Sequence, residues 1–453
     1  MIINNIHIDE CLGDRLDAQQ FHPERLSMIR RLKTITCCKL KEVAKNVKTV
    51  TTCLSNEDVY IGLENVTCGT GEYIPGIKES ISTAAVFKKG DILFSKLRPY
   101  LNKVYLAEFS GKSSTEFYIL EATNILPEYL AIILRSDIII AQTKHLVTGN
   151  TLPRLQTSDI ENLLIPYPSS TFQQKIVDLY TAAQNAKLQK DKEAKELLES
   201  IDDIVTQHLG IKLPERSDFS ETKYFTPISK LIGQRYDPYF HNPYFEKAFA
   251  KLAQSKYPLK KLGDISILIT SGITPKAGGD AYTDSQNGIA FIRSGDIDIN
   301  GNINFEELLY IKPEVHNKQM KSSKVYDNDI MIAIVGATIG QVGIYHSEKE
   351  ANINQAIALV RLKDGYDPEY VKELIKSSIG QLNLDRLKRP VARANINLEE
   401  IASILIPIPE KIEVQTAIAK EIHEIRVKAD AIKNEGSLII DKAKATIEKM
   451  ILG

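Results

Sequence analysis

Apolar residues recur every three or four positions in two long stretches without proline, residues 169–209 and 410–452. Ile176 and Leu179 begin this series in the first stretch, and lysines and glutamates occupy the remaining positions. Such spacing predicts an amphipathic α-helix, because residues three and four apart share one helix face. The second stretch has the same spacing, with Gly436 as a possible loosening point. We expect two long helices that bury their apolar faces on each other as an antiparallel pair. The alternative is that each helix packs on its own half of the chain.

Short β-rich segments punctuated by Gly, Asn and Asp precede each long helix. The predicted strands are 59–63, 85–87, 91–94, 104–106 and 117–120 in the first half, and 289–293, 329–335, 343–345 and 356–362 in the second. Short helices are predicted near residues 127–140 and 368–379. Each half is therefore expected to be an α+β module followed by a long helix.

Several short sequences occur twice, in the same order, which predicts a tandem duplication. The pairs are GDRLDA (13–18) with GQRYDP (233–238), DILF (91–94) with DIMI (329–332), PEY (127–129) with PEY (368–370), IPYP (165–168) with IPIP (406–409), and Gln174 with Gln415. The offset grows from about 220 to about 240 residues along the chain, so the second copy carries an insertion between the first two pairs.

The composition is that of an ordinary folded protein of 453 residues, with 43% hydrophobic and 25% charged residues. The 57 Lys and Arg against 58 Asp and Glu count mildly against a DNA-binding protein, although local patches decide phosphate binding. The five cysteines, all in the first 70 residues, form no CxxC pair and are expected to be reduced thiols without a metal. No signal peptide or membrane span is predicted, which favours a cytoplasmic protein.

Three short motifs resemble catalytic signatures, and each is better explained structurally. NPYF (242–245) lacks the second proline and the cofactor loop of an amino-methyltransferase. GATIG (336–340) lacks the lysine of a P-loop and fits a corner between two strands. EAK (193–195) has nuclease-like spacing but falls on the solvated face of a predicted helix. We therefore predict no catalytic residue and no cofactor-binding or metal-binding residue in this chain.

Longer stretches resemble the target recognition domains in specificity subunits of type I restriction-modification systems. In the first half these are YIGLENV (60–66), GDILFSKLRPYLNKVYL (90–106) and SSTEFYIL (113–120). In the second half they are SGITPK (271–276), AFIRSGDI (290–297), NDIMIAIVGATIGQVGI (328–344), ANINQAIALVRL (351–362) and RANINLEEIASILIPIP (393–409). The first half departs from the pattern, since TLPRL (151–155) stands where the second half has RANIN.

The resemblance implies an α+β fold with two tandem pseudo-symmetric, β-rich target recognition domains and two long helices packed as an antiparallel coiled coil. The expected division is residues 1–168 for the first domain, 169–212 for the central helix, 213–409 for the second domain and 410–453 for the C-terminal helix. Each domain would read one part of an asymmetric, split DNA site, and the helices would set the spacing between the parts. We expect that inserting a heptad into the central helix would change the spacer and neither half-site.

The resemblance also implies a subunit without catalytic activity. Two methyltransferase subunits would dock on the long helices and recruit restriction subunits. S-adenosylmethionine, ATP and Mg²⁺ would belong to those partners, and adenine would be the methylated base.

Candidate DNA contacts are cations, amides and hydroxyls on predicted loops, because Arg and Gln can read base edges and Lys more often holds phosphate. In the first half they are Lys88, Lys89, Lys96, Arg98, Tyr100, Lys103, Lys112 and Arg154. In the second half they are Thr274, Lys276, Arg293, Lys318, Lys321, Lys324, Gln341, Arg386, Lys388, Arg389 and Arg393. Two alternatives remain open, a duplicated protein-binding adaptor and the specificity subunit of a related multisubunit restriction system.

Overall fold

The computed structural model describes residues 20–53, 55, 58–76, 83–146, 153–215, 223–232, 235–275, 280–389 and 394–453. The chain divides into two compact units. Unit 1 comprises residues 1–191 and 432–453, and unit 2 comprises residues 192–431. Within these described ranges, no helix has the length and apolarity that a membrane crossing requires. The domain boundaries expected from the sequence remain a prediction.

The described residues of unit 1 form two four-stranded sheets and a small two-stranded ribbon. Its elements are α1 (Pro23–Leu32), β1 (Cys37–Lys39), α2 (Leu40–Val43), β2 (Ala44–Asn46), β3 (Val50–Thr51), β4 (Tyr60–Ile61), β5 (Ala84–Phe87), β6 (Ile92–Ser95), β7 (Val104–Leu106), β8 (Gly111–Ser113), β9 (Phe117–Ala122), α3 (Pro127–Leu134), α4 (Asp137–Thr143), α5 (Thr157–Glu161), β10 (Leu164–Pro166) and the first part of α6 (Ser170–Leu209). The strand orders are β2-β9-β6-β7, β3-β5-β8-β4 and β1-β10.

Unit 2 repeats this plan with a larger second sheet. Its elements are the rest of α6, then α7 (Pro243–Leu252), β11 (Leu259–Lys261), α8 (Leu262–Ile265), β12 (Ser266–Ser271), β13 (Tyr282–Thr283), β14 (Ile289–Ile292), β15 (Leu309–Ile311), α9 (Pro313–Asn317), β16 (Lys324–Val325), β17 (Ile330–Ala333), β18 (Val342–Ile344), β19 (Ala351–Ile353), β20 (Ile357–Leu362), α10 (Pro368–Lys376), α11 (Ser378–Leu387), α12 (Leu398–Ala402), β21 (Leu405–Pro407) and α13 (Ile412–Leu452), whose last part belongs to unit 1. The strand orders are β12-β20-β17-β18, β13-β15-β14-β19-β16 and β11-β21.

The core of unit 1 lies between its first sheet and the helices α3 and α4. Ile92 and Phe94 of β6 point into it, and Leu130 and Ile133 of α3 cover them. Alternate residues of β6 face opposite sides of the sheet, so Leu93 lies instead in a second cluster with Phe87. Both faces of β6 are thus buried, which explains why DILF reads as a continuous apolar run.

In unit 1, the first part of α6 packs antiparallel to the last part of α13. Ala183 contacts Ile440 and Ala443, and Lys190 forms an ion pair with Glu435 at 2.9 Å. Gly436 lies at the contact, because a Cβ there would approach Lys190 Cβ to 3.2 Å. The glycine therefore permits a close approach of the two helices inside a continuous α13, and the expectation of a loosening point was wrong.

In unit 2, the second part of α6 packs on the first part of α13 in the same antiparallel sense. Ile201 and Val205 share a core with Ile418 and Ile422, and His208 lies 2.8 Å from Glu421. The antiparallel pairing predicted from the sequence is confirmed. The alternative that each helix packs on its own half alone is wrong.

Matching side chains make the same hydrogen bonds in the two units. Tyr129 donates to the carbonyl of Pro166 at 3.0 Å, and Tyr370 donates to the carbonyl of Pro407 at 3.0 Å. These bonds tie α3 to β10 and α10 to β21. The duplication inferred from PEY and IPxP therefore reflects a repeated tertiary contact.

One pair in the sequence repeat was misaligned by a residue. The side-chain oxygen of Gln415 accepts from the backbone N–H of Asp367 at 2.9 Å. Its counterpart is Gln173, whose side-chain oxygen accepts from the N–H of Leu126 at 3.1 Å. Gln174 is instead bonded to Asp178 one helical turn later.

All nine predicted strands overlap observed ones, and the predicted short helices are each two helices. The sequence did not predict the helices α1 and α7 or the strands β1, β2, β3, β8, β10, β11, β12, β13, β15, β16, β19 and β21, of which all but β12 have two or three residues. The extra strands β13 and β15 and the helix α9 lie between β12 and β17, where the second copy has its insertion.

Candidate nucleic-acid interface

In unit 2, the ends of four strands bring their loops to one edge of the sheets. The backbone N–H of Gly272, after β12, donates to the carbonyl of Asn354 at 3.2 Å, and the N–H of Asn354 donates to Ile292 at the end of β14 at 3.0 Å. The N–H of Ile334, after β17, donates to Ala356 at 2.9 Å. The loops after β12, β14, β17 and β19 are therefore joined by backbone hydrogen bonds.

The segment before α12 completes this edge. Val335 and Asn395 form a β-bridge, and the N–H of Gly336 donates to the carbonyl of Ala394 at 3.0 Å. We call residues 272–275, 293–296, 334–341, 354–356 and 394–397 the loop edge of unit 2.

Unit 1 has the same arrangement. The N–H of Lys96 donates to Glu116 at 3.0 Å, Leu97 forms a β-bridge with Arg154, and the N–H of Arg98 donates to Pro153 at 2.8 Å. We call residues 62–65, 95–103, 114–116 and 153–155 the loop edge of unit 1. Pro153 and Arg154 of TLPRL thus make the same backbone contacts as Ala394 and Asn395 of RANIN, despite the different sequence.

The two edges also share unusual backbone conformations. Arg98 has a φ of +48° where unit 2 has Gly336 at +73°, and Asn102 has +49° where unit 2 has Gly340 at +96°. A left-handed conformation costs a residue with a Cβ about 1–2 kcal/mol. Arg98 therefore bears strain at a position where the other unit has glycine, and such strain is often found at functional sites.

Five of the predicted contacts in unit 1 meet at its loop edge. Arg98 and Tyr100 are exposed there, and Lys96 is half-buried. Lys103 donates to the carbonyl of Leu63 at 2.7 Å. Arg154 makes a two-pronged contact with Glu116, at 2.8 and 3.0 Å, which lowers the pKa of that carboxyl.

The remaining three lie elsewhere in unit 1. Lys88 and Lys89 occupy the exposed turn before β6, at the opposite end of that strand from Lys96. Lys112 lies within β8 and forms an ion pair with Asp58 at 2.5 Å. The structure therefore does not bring these three lysines to the loop edge.

At the loop edge of unit 2, the hydroxyl of Thr274 is hydrogen-bonded to the side-chain oxygen of Gln355. Arg293 makes a two-pronged contact with Asp296 at 2.7 and 3.1 Å. Gln341 lies in the loop after β17, and its buried side-chain oxygen has no partner among the described residues. Lys276 and Arg393 lie outside the described residues.

The other predicted contact residues of unit 2 are not part of its loop edge. Lys318 and Lys321 are exposed before β16, where Lys324 is bonded to Asn317 at 2.8 Å. Lys388 faces Asp385 at 3.6 Å. The guanidinium of Arg389 donates to the carbonyl of Asn395 at 2.6 Å and to Glu400 at 2.8 Å, so it holds the segment before α12 in place.

Arg386 is part of the packing between α11 and α7. Its guanidinium lies 4.1 Å from the centre of the Phe240 ring and donates to the Phe240 carbonyl at 3.2 Å. Burial lowers the pKa of Arg386 from its ordinary value. These contacts give Arg386 a structural role that does not involve DNA.

Two loop-edge residues were missed by the sequence reading. Glu116 orients Arg154, and Gln355 is an exposed amide in the turn between β19 and β20. A polar residue directly before a predicted strand, as in TEFYIL and NINQAIAL, was the available signal. Neither residue is a cation, whereas most of the contacts predicted from the sequence are cations.

The motifs set aside as non-catalytic have structural roles. The side chain of Asn242 caps α7 by accepting from the N–H of Tyr244 at 2.9 Å, and Pro243 is the first residue of that helix. Residues 336–340 form the expected corner between β17 and β18.

The family model for the type I restriction modification DNA specificity domain matches residues 34–199 and 254–437. The chain belongs to this family. Both matched regions contain one loop edge, so the family's domain occurs twice here.

Two relatives from this family match part of the chain. The EcoBI specificity subunit of the type I restriction enzyme from Escherichia coli is 33% identical over 155 residues, which are 34% of this chain and 31% of the relative. The HindI specificity subunit from Haemophilus influenzae is 29% identical over 121 residues, 25% of this chain and 26% of the relative. The matches thus span about a third and a quarter of the relatives.

Solved structures resemble the chain over more of its length. A chain from a structure describing complex assembly and conformational transition of the type I R-M system is 17% identical, with 92% of this chain and 95% of that chain covered and a TM-score of 0.48. The HsdS subunit from Thermoanaerobacter tengcongensis is 18% identical, with 92% and 96% covered and a TM-score of 0.35.

Proposed function

We propose that this chain is the DNA sequence-specificity subunit of a type I restriction-modification complex and binds an asymmetric, bipartite site on double-stranded DNA. The observation that carries the proposal is the occurrence of two loop edges with the same backbone frame and different side chains. Unit 1 has Glu116 and Arg154 where unit 2 has Ala356 and Asn395. Similar frames with different polar groups are suited to reading two different half-sites, because base edges are distinguished by their donors and acceptors.

The contacts divide by chemistry. Arg98, Arg154 and Gln355 have planar groups that can bond two positions of a base edge, and Lys96 is suited to a phosphate. The neutral charge of the whole chain does not oppose this, because phosphate binding depends on local charge.

The partners would be two methyltransferase subunits docked on α6 and α13, with restriction subunits bound through them. In unit 1, Leu188 and Leu438 on the long helices are 69% and 55% exposed, which supports a further protein contact there. Adenine methylation and DNA cleavage would be performed by the partners, which would bind S-adenosylmethionine, ATP and Mg²⁺. The chain would act in the cytoplasm, where host DNA is methylated.

The decisive experiment sequences modified bases in host DNA with and without this gene. The proposal requires that one bipartite methylated motif disappears with the gene and returns with it. An unchanged set of methylated motifs in a host that expresses the complex would contradict it.

A second measurement separates DNA binding from the adaptor alternative. The chain, copurified with its methyltransferase, should bind duplex DNA with an affinity that falls steeply as salt rises, because each neutralised phosphate releases a counterion. Assembly with the methyltransferase and no salt-dependent binding of DNA would favour the adaptor.

A further inference from the structure

Two histidines and a carboxylate meet in unit 1 at residues that are not part of its loop edge. His22 precedes α1, Glu24 lies in the first turn of α1, and His145 follows α4. One potential ligand atom from each of the three lies within 4.8 Å of the other two. The two histidines are separated by more than a hundred residues, so only the packing of α1 on α4 brings them together.

The spacing of these atoms suits a tetrahedral metal ion. Nε2 of His145 lies 3.3 Å from Oε2 of Glu24. Ligands about 2.0–2.1 Å from a tetrahedral Zn²⁺ lie roughly 3.3 Å apart, which matches this pair. The imidazole rings of His22 and His145 are stacked, with centroids 3.6 Å apart and planes 15° from parallel. Coordination requires the rings to turn out of this stack so that their lone pairs converge.

The surroundings of Glu24 and His145 favour the forms of these two groups that bind metals. The Lys144 ammonium, 2.5 Å from Oε1 of Glu24, lowers the pKa of that carboxyl, so it is ionised at neutral pH. Burial lowers the pKa of His145. The neighbouring His22 and Lys144 also lower it, whereas the hydrogen bond with Glu24 raises it. Metal ligands must be ionised carboxylates and neutral imidazoles. Lys144 leaves Oε2 available and holds the other oxygen, as the hydrogen-bonding partner of a ligating carboxylate does.

The geometry points to a binding site for a divalent transition-metal ion of the Zn²⁺ class, with His22, Glu24 and His145 as ligands and water in the fourth position. Two imidazole nitrogens favour such an ion over Mg²⁺ or Ca²⁺, which prefer oxygen ligands. The bound ion would fasten the start of α1 to the end of α4.

The matching positions among the described residues of unit 2 do not form such a site. Asn242 occupies the position of His22, Tyr244 that of Glu24, and Arg386 that of His145. Arg386 packs on the Phe240 ring instead. Within the described part of the chain, the proposed site therefore occurs in unit 1 and is not repeated at the matching positions of unit 2. It is independent of the repeated loop edges and of the proposed function.

The comparison of the two units also suggests a variant of His22 that should fold. His22 accepts a capping hydrogen bond from the N–H of Glu24 at 3.4 Å, and Asn242 caps α7 in the same way at 2.9 Å. His22→Asn therefore removes a ligand and retains a capping side chain. A variant with the charge of Glu24 removed, Glu24→Gln, provides the second test.

Calorimetric titration of the full chain with Zn²⁺ should detect one site. His22→Asn and Glu24→Gln should each weaken binding at least tenfold, with circular dichroism unchanged. His346→Asn is the matched control, because His346 also faces carboxylates, Glu369 at 2.7 Å and Asp327 at 3.8 Å. It should bind as the unchanged protein does.

The exposed thiols Cys53 and Cys68 are the competing ligands, so the titration is repeated after alkylation. Binding that survives alkylation and is lost in His22→Asn supports the site. Absence of a site, equal affinity in His22→Asn, or loss of binding on alkylation alone would overturn the proposal.

Discussion

Arg361 and Asp329 form a two-pronged ion pair across β20 and β17, with distances of 2.6 and 2.8 Å. The register places Glu121 opposite Asp91 in unit 1, because Ile92 pairs with Leu120 as Ile330 pairs with Val360. Two carboxylates therefore stand in unit 1 where unit 2 has an ion pair. Asp91 is buried and Glu121 is exposed.

Introducing the cross-strand residues of unit 2 at the matching positions of unit 1 should stabilise unit 1. Lys45 is paired with Glu121, whereas Leu268 is paired with Arg361. Glu121→Arg in a Lys45→Leu background should raise the free energy of unfolding by about 1–2 kcal/mol relative to Lys45→Leu alone, because Asp91 gains a charged hydrogen-bonding partner. Urea denaturation measures this. No gain, or an equal gain when Asp91 is also changed to Asn, would contradict the pairing.

The carboxyl of Asp91 should also make stability depend on pH. Burial raises its pKa above the ordinary 3.8, and the charge of Glu121 adds to the effect. The folded state then holds the proton more tightly than the unfolded state, so this contribution to stability falls as the pH rises from about 3.8 through the raised value. Asp91→Asn should flatten that part of the stability curve. An unchanged slope would show that Asp91 does not titrate in this way.

The two left-handed positions predict opposite effects of reciprocal changes. Gly336→Ala should destabilise the protein by about 1 kcal/mol, because the added Cβ meets no atom within 4 Å and the cost is that of the backbone alone. Arg98→Gly relieves the same strain and should leave stability unchanged or slightly raised, while it weakens DNA binding. Thermal denaturation and a salt-controlled binding assay measure the two effects. A large loss of stability in Arg98→Gly would mean that the arginine has a structural role.

Replacing either of two neighbouring glutamines at the start of α6 should change the stability of the protein by very different amounts. Gln173 is buried, accepts from Leu126 and donates to the Pro168 carbonyl at 3.0 Å. Gln173→Ala leaves both backbone groups unpaired and should cost about 1–3 kcal/mol. Gln174→Ala should change stability by less than about 0.5 kcal/mol, as exposed substitutions usually do. Equal effects of the two changes would contradict the corrected alignment of the repeat.

The contact between Glu116 and Arg154 should govern one half-site. Arg154→Ala should weaken binding to DNA and relax selection at one or two bases of a single half-site, by about 1–3 kcal/mol. Lys88→Gln is the control, since Lys88 lies at the opposite end of β6, and it should leave base selection unchanged. Binding to a library of randomised sites measures both. If the unchanged protein, Arg154→Ala and Lys88→Gln all have the same base preferences, Arg154 does not contact the bases.

The sequence predicted the long helices and the four- to six-residue strands β6, β9, β17 and β20, because their apolar patterns are set by local periodicity. The strands β1 and β10 were not predicted, since two- and three-residue pairings depend on a partner far along the chain. The candidate contacts were predicted less well. Arg386 and Arg98 are equivalent as cations in a sequence, yet one packs on Phe240 and the other is exposed at a loop edge.

The sequence by itself determined the duplication, the two long amphipathic helices and the family, because short motifs in a fixed order and three-to-four-residue spacing are visible without coordinates. Only the tertiary structure decided which polar groups meet. The joining of Leu97 with Arg154, the choice of Gln173 over Gln174, and the meeting of His22 with His145 follow from register and packing between distant segments. Such contacts depend on three-dimensional closure of the chain, which no local pattern encodes.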